Sequence, residues 1–209
     1  MKHKIKILIV CLVLIGCSCQ KEKPKLVPAD QKLLIKPAKQ LTVDEMKKMH
    51  IVIDTNFGSF TIGLYPEKSP RLCQNFIGLV EQDFYSKLWF HMIIPNYMVI
   101  AGDPKGDGTG GPGYWVRPQF NDLPHRRGSV GMSHPPLAPE QIGSQFYVLL
   151  TNSMRETNAY PVFGYVENGM EVLDRIGEVP TSGAEGKPRP WEPELLVQIK
   201  STKILVSSP

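Results

Sequence analysis

The chain has 209 residues, 42% of them hydrophobic and 21% charged, with 19 Pro and 18 Gly. That length suits one domain with an extension, able to bury a core without disulfides or metal, and the composition excludes collagen-like and wholly disordered chains. A formal charge of +4 is mild and gives no case for a nucleic-acid-binding face, which needs clustered basic residues.

Lys2, Lys4 and Lys6 precede an apolar run, Ile7 to Ile15, well short of the ~20 residues that span a bilayer. A basic start and a short apolar stretch predict a secretory leader over residues 1–16. The run closes on Leu14-Ile15-Gly16-Cys17, which resembles the bacterial lipobox. Cys17 is therefore the expected lipid attachment site, and an ordinary leader with an incidental Cys is the blander alternative. Loss of the three leader lysines lowers the formal charge from +4 to +1. The expected location is the cell envelope, as a membrane-anchored lipoprotein. Ser18 in place of Asp favours the outer membrane where there are two.

Residues 17–48 carry Lys, Pro and Gln with only short apolar pairs, and read as a lipidated tether of roughly 30 Å reach if flexible. The folded domain is expected over 49–209. Ile51-Val52-Ile53 and Ser59 to Leu64 flank Asn56-Phe57-Gly58, a hairpin signal. Ser69-Pro70 reads as an N-cap with Pro at the first helical position, and Leu72, Phe76, Leu79 and Val80 continue a helix over about Ser69 to Gln82. Short strand-like runs follow at Trp89–Ile94, Tyr97–Ala101, Ser129–Met132, Phe146–Leu150 and Val162–Val166. A second helix, Met170–Ile176, precedes a last strand-like segment, Glu194–Val206. Many short strands and only two helices predict a closed or sandwiched antiparallel β structure.

Cys11 leaves with the leader, Cys17 takes lipid, and Cys19 and Cys73 are too few for a disulfide framework. The five histidines are scattered, with no metal-ligand spacing. Gly106, Gly108 and Gly111 satisfy G-x-G-x-x-G, but Pro112-Gly113-Tyr114-Trp115 cannot open the helix that a dinucleotide site needs. Read as a calcium loop from Asp103, the stretch has Lys105 at position 3 and Tyr114 at position 12, where a bidentate acid belongs. No cofactor and no metal are expected.

The ordered set of Trp89 to Pro104, Gly108-Thr109-Gly110-Gly111, Gly128 to Ser133, Gly143-Ser144-Gln145-Phe146-Tyr147 and Val162 to Val166 resembles the cyclophilin family of peptidyl-prolyl isomerases. The resemblance runs from about His50 to the C-terminus. It implies a closed eight-stranded antiparallel barrel capped by two α-helices, and activity on proline-containing polypeptides by a monomer. It places Tyr97, Met98 and Tyr147 at the proline pocket and Gln145 beside it. Tyr160 falls on the rim, and Ser133 and His134 fall where the peptide backbone is received. Tyr97, Met98 and Tyr147 also suit plain barrel core. His91 reads as a packed histidine beside the site.

An X-Pro bond turns slowly because rotation breaks amide resonance, a barrier of about 18–20 kcal/mol. The family's donor toward the prolyl nitrogen is an Arg directly after Phe-His, and here that position is Met92. The family's Gln two residues beyond the next Tyr/Phe-Met pair falls on Ile100. Both polar positions are thus apolar. Three readings follow: a weakened isomerase acting on envelope proteins, a non-catalytic proline-binding or chaperone module, and a scaffold. Arg155 in the loop before Tyr160, the rigid Pro135–Pro139 rim, and a basic turn at His125-Arg126-Arg127 are further features to place.

Overall fold

The computed structural model describes residues 39–134, 140–153, 160–184 and 189–207. The expected leader over residues 1–16, Cys17, Pro135–Pro139 and Arg155 lie outside the described residues.

The first element corrects the expected boundary at residue 49. Helix α1, Val43–Lys47, opens on Thr42 with a capping box: the Thr42 hydroxyl accepts from the Glu45 N–H, and the Glu45 carboxylate accepts from the Thr42 N–H. Those hydrogen bonds hold the Glu45 carboxyl down at about 2, with the Thr42 backbone contributing most. Leu41 and Met46 are buried, Met46 to 2% exposure. The domain therefore begins about eight residues earlier than the tether reading placed it, at Leu41, because two apolar side chains and one cap dock the segment on the fold.

Strands β1 (Met49–Thr55) and β2 (Gly58–Leu64) form the expected hairpin, with Thr55 opposite Gly58 across Asn56-Phe57. Gly58 takes φ 123°, a conformation that side-chain-bearing residues rarely adopt. Helix α2 (Pro70–Glu81) follows, with Pro at its start as read from sequence. Ser69, however, is no side-chain cap. Its hydroxyl donates to the Val162 carbonyl at 2.8 Å, tying the helix start to the sheet.

Then come β3 (Met92–Ile94), β4 (Met98–Ala101), β5 (Ser129–Met132), β6 (Phe146–Leu149), β7 (Val162–Asn168), helix α3 (Met170–Gly177) and β8 (Ile199–Val206). All pair antiparallel in the order β3-β4-β6-β5-β7-β2-β1-β8. The sheet curls until the segments leading into its two edge strands meet. Trp89 bridges Gln198, the Phe90 N–H donates to Val197 at 2.9 Å, and the Ile199 N–H donates to Leu88 at 2.8 Å. The last strand is shorter than the expected Glu194–Val206, since 194–198 is spent on this seam and on turns.

Inside the curl, Phe76 of α2 packs against Tyr85, Phe146 and Phe163 at centroid separations of 4.9–5.3 Å. A second, smaller apolar cluster of Met98, Ile100, Tyr147 and Leu149 is separate from this core.

Candidate active site

The second cluster follows from strand alternation. On β4, Met98 and Ile100 face away from the side taken by Val99 and Ala101, which join the main core. Register then aligns a row across four strands: Met92 on β3 pairs with Ile100 on β4, Ile100 with Tyr147 on β6, and Tyr147 with Gly131 on β5. A second row, Ile94–Met98–Leu149, lies beside it. The β3–β4 turn brings up Tyr97, because Asn96 accepts φ 57° and the Tyr97 N–H closes on the Ile94 carbonyl at 3.0 Å.

Gly131 is required where it stands. A Cβ there would lie 2.2 Å from the Tyr147 hydroxyl, so the ring occupies the space a side chain would fill. The Tyr147 hydroxyl points to the Tyr160 carbonyl at 3.4 Å, and the two rings meet edge to face at 6.0 Å. His134 stacks on Tyr160 at 4.4 Å with 13° between planes. Tyr97 reaches Ser153, hydroxyl to hydroxyl, at 3.1 Å. Met92, Ile94, Tyr97 and Tyr160 thus rim one apolar patch floored by Met98, Ile100, Tyr147 and Leu149.

Gln145 sits beside this patch and is buried. Its amide nitrogen donates to the carbonyls of Gly108 and Gly110 at 3.0 and 2.9 Å, so it pins the glycine-rich loop. Ser133 is buried next to it, its N–H donating to the Gln145 carbonyl at 2.8 Å. His91 lies on the inner side, and burial pushes its imidazole down to about 4. Its Nδ1 is buried without a hydrogen-bond partner among the described residues. Burial that keeps the ring neutral suits a packed histidine beside the patch.

Two residues escaped the sequence reading. Asp103, fully buried, accepts from the N–H groups of Lys105, Asp107 and Gly108 at 2.7, 3.0 and 2.5 Å, and so folds the glycine loop around one carboxylate. An Asp opening a run of glycines is the local signal for such a turn. His125 is buried, correcting the exposed basic turn; its Nε2 meets the Tyr160 carbonyl at 2.8 Å from beneath the rim. Arg127 of the same turn forks onto both Asp174 oxygens at 2.8 and 2.7 Å, leaving Arg126 as its exposed cation without an ion pair among the described residues.

The arrangement is an apolar patch across β3, β4 and β6, rimmed by the Tyr97 and Tyr160 rings. The family model described as cyclophilin type peptidyl-prolyl cis-trans isomerase/CLD matches residues 50–204. The peptidyl-prolyl cis-trans isomerase-like 1 of Aspergillus fumigatus is 38% identical over 142 residues, 66% of this chain and 87% of the relative. The isomerase CYP18-2 of Arabidopsis thaliana is 31% identical over 158 residues, 74% of this chain and 93% of the relative. Among solved structures, a cyclophilin-type isomerase of Cryptosporidium parvum, crystallised in the presence of the dipeptide Ala-Pro, superposes with a TM-score of 0.67 at 27% identity. That match covers 77% of this chain and 99% of the other. On sequence and fold together, the chain belongs to the cyclophilin-type peptidyl-prolyl cis-trans isomerases.

Proposed function

We propose that the protein isomerises X-Pro bonds in envelope polypeptides from a lipid anchor at Cys17, at a rate lowered by Met92 and Ile100. The observation that carries this reading is the apolar row Met92–Ile100–Tyr147 with its aromatic rim. A planar amide is more charge-separated than a twisted one, so an apolar wall favours the twisted form and lowers the rotational barrier. Neither Met92 nor Ile100 can supply the donor that would stabilise the pyramidal nitrogen. Preorganised donors of this kind contribute about 2.7–4 kcal/mol, or ~10²–10³ in rate.

The same two side chains favour a second reading, in which the slot holds prolines as a chaperone without appreciable turnover. A protease-coupled isomerisation assay with proline tetrapeptides separates the two. Catalysis above the spontaneous rate, roughly 10²-fold below a typical family member, supports the first. Peptide binding with no acceleration supports the second, and neither binding nor rate removes the slot assignment.

A further inference from the structure

Two exposed aromatic side chains, Trp115 and Phe120, stand on the segment that follows the glycine-rich loop. Trp115 is 67% exposed and Phe120 57%. Between them Val116 pairs with Ile142 and packs on the core, which holds the segment extended and turns Trp115 and Arg117 to the same outer side. Arg71 of α2 joins this face: its N–H donates to the Gln119 side chain at 2.7 Å and its guanidinium to the Arg117 carbonyl at 3.4 Å. Neither Arg71 nor Arg117 has an ion pair among the described residues, while the nearby Asp122 is taken by Lys68 at 2.6 Å.

The start of the described chain emerges beside it. Gln74, one turn along α2 from Arg71 and on the same helical face, donates to the Lys39 carbonyl at 2.9 Å and accepts from the Leu41 N–H at 2.8 Å. Only about 22 residues separate Lys39 from Cys17, and a chain of that length reaches roughly 26 Å if flexible. That is under two radii of gyration of a domain this size, about 15 Å each. A chain held at Cys17 therefore keeps this face near the surface that holds it.

We propose that the face formed by Trp115, Arg71 and Arg117 docks on an anionic phospholipid surface. The Trp115 indole enters the interfacial region, where amphipathic rings settle. The two unpaired guanidiniums meet lipid phosphates. The inference rests on the lipid-anchor reading of Cys17. Docking fixes the domain's orientation, so that the slot faces a constant direction relative to the bilayer.

The test uses the full lipidated chain reconstituted in phosphatidylcholine vesicles with and without phosphatidylglycerol, some lipids brominated in the acyl chain. Trp115 is the exposed indole, while Trp89 and Trp191 are only partly accessible. Brominated anionic vesicles should quench and blue-shift the emission. Trp115→Phe should remove most of that change, and Arg71→Gln with Arg117→Gln should weaken it several-fold and abolish its salt dependence. Leu195→Ser with Leu196→Ser, an exposed pair beside the Asn56 turn, should leave it unchanged. A chain that is anchored but unquenched, or one whose quenching survives Trp115→Phe, overturns docking while the anchor stands. A chain that carries no lipid and stays off the vesicles overturns the anchor reading and docking with it.

Discussion

At position 92 a thioether stands where the family resemblance leads one to expect a guanidinium, and the Ile100 side chain directly across the strand pair offers no polar partner. Met92→Arg together with Ile100→Gln should raise kcat/KM for proline tetrapeptides by about 10²-fold, the scale of one regained donor. Met92→Arg alone should cost stability instead, because a half-buried cation on an apolar patch lacks an acceptor; melting curves of the single and double variants check this. His91 gives a pH signature. Its folded pKa lies near 4, below the ordinary 6.5, because burial penalises the charged ring. Between those values the unfolded chain binds the extra proton, so stability is present above about pH 6.5 and falls as pH drops toward 4. Unfolding midpoints in urea should shift downward over that window, and less steeply in His91→Phe. The row residues were legible because strand alternation and the family's motif order both point at them. Asp103 and His125 were not, since what buries a polar side chain is its distant partners: Asp103 needs the loop folded around it, and His125 needs Tyr160, thirty-five positions away.

Among the elements, α1 is the one the sequence concealed. Five residues make barely a turn, too short for a hydrophobic period to register, and Leu41 and Met46 look like stray apolar residues in a Lys-rich stretch. Their burial is a tertiary fact. Met46→Ala should therefore destabilise the domain by about 2–5 kcal/mol, whereas a residue in a mere tether would leave the denaturation midpoint unmoved. α2 and α3 were legible to within a residue or two because their apolar faces repeat over two or more turns and Pro70 marks a start. Ser69 shows the limit of such local signals. Its hydroxyl had two uses open to it, and the sheet carbonyl of Val162 won over the helix N-terminus. Strands Ser129–Met132 and Phe146–Leu149 fell almost where expected, since both are buried on both sides and bounded by Gly or polar residues.

At the scale of the whole molecule, Cys17→Ser should leave an uncleaved precursor or release the domain from membranes, which fractionation with labelled fatty acid would read; label retained on the variant would assign the lipid elsewhere. The barrel also imposes an order of events on the growing chain. β1 begins at Met49 and its outer neighbour β8 ends at Val206, so the first strand made waits for the last. Long-range pairing of this kind is slow, because loop-closure entropy is spent before the contact returns anything. Until residues 199–206 emerge, β1 presents a bare row of backbone donors and acceptors with Ile51 and Ile53 on its inner side, an invitation to pair with another chain. A chain ending before Ile199 should therefore not accumulate as a slightly shorter domain. It should associate through its open edge, visible as concentration-dependent light scattering that the addition of a synthetic 197–207 peptide during refolding suppresses.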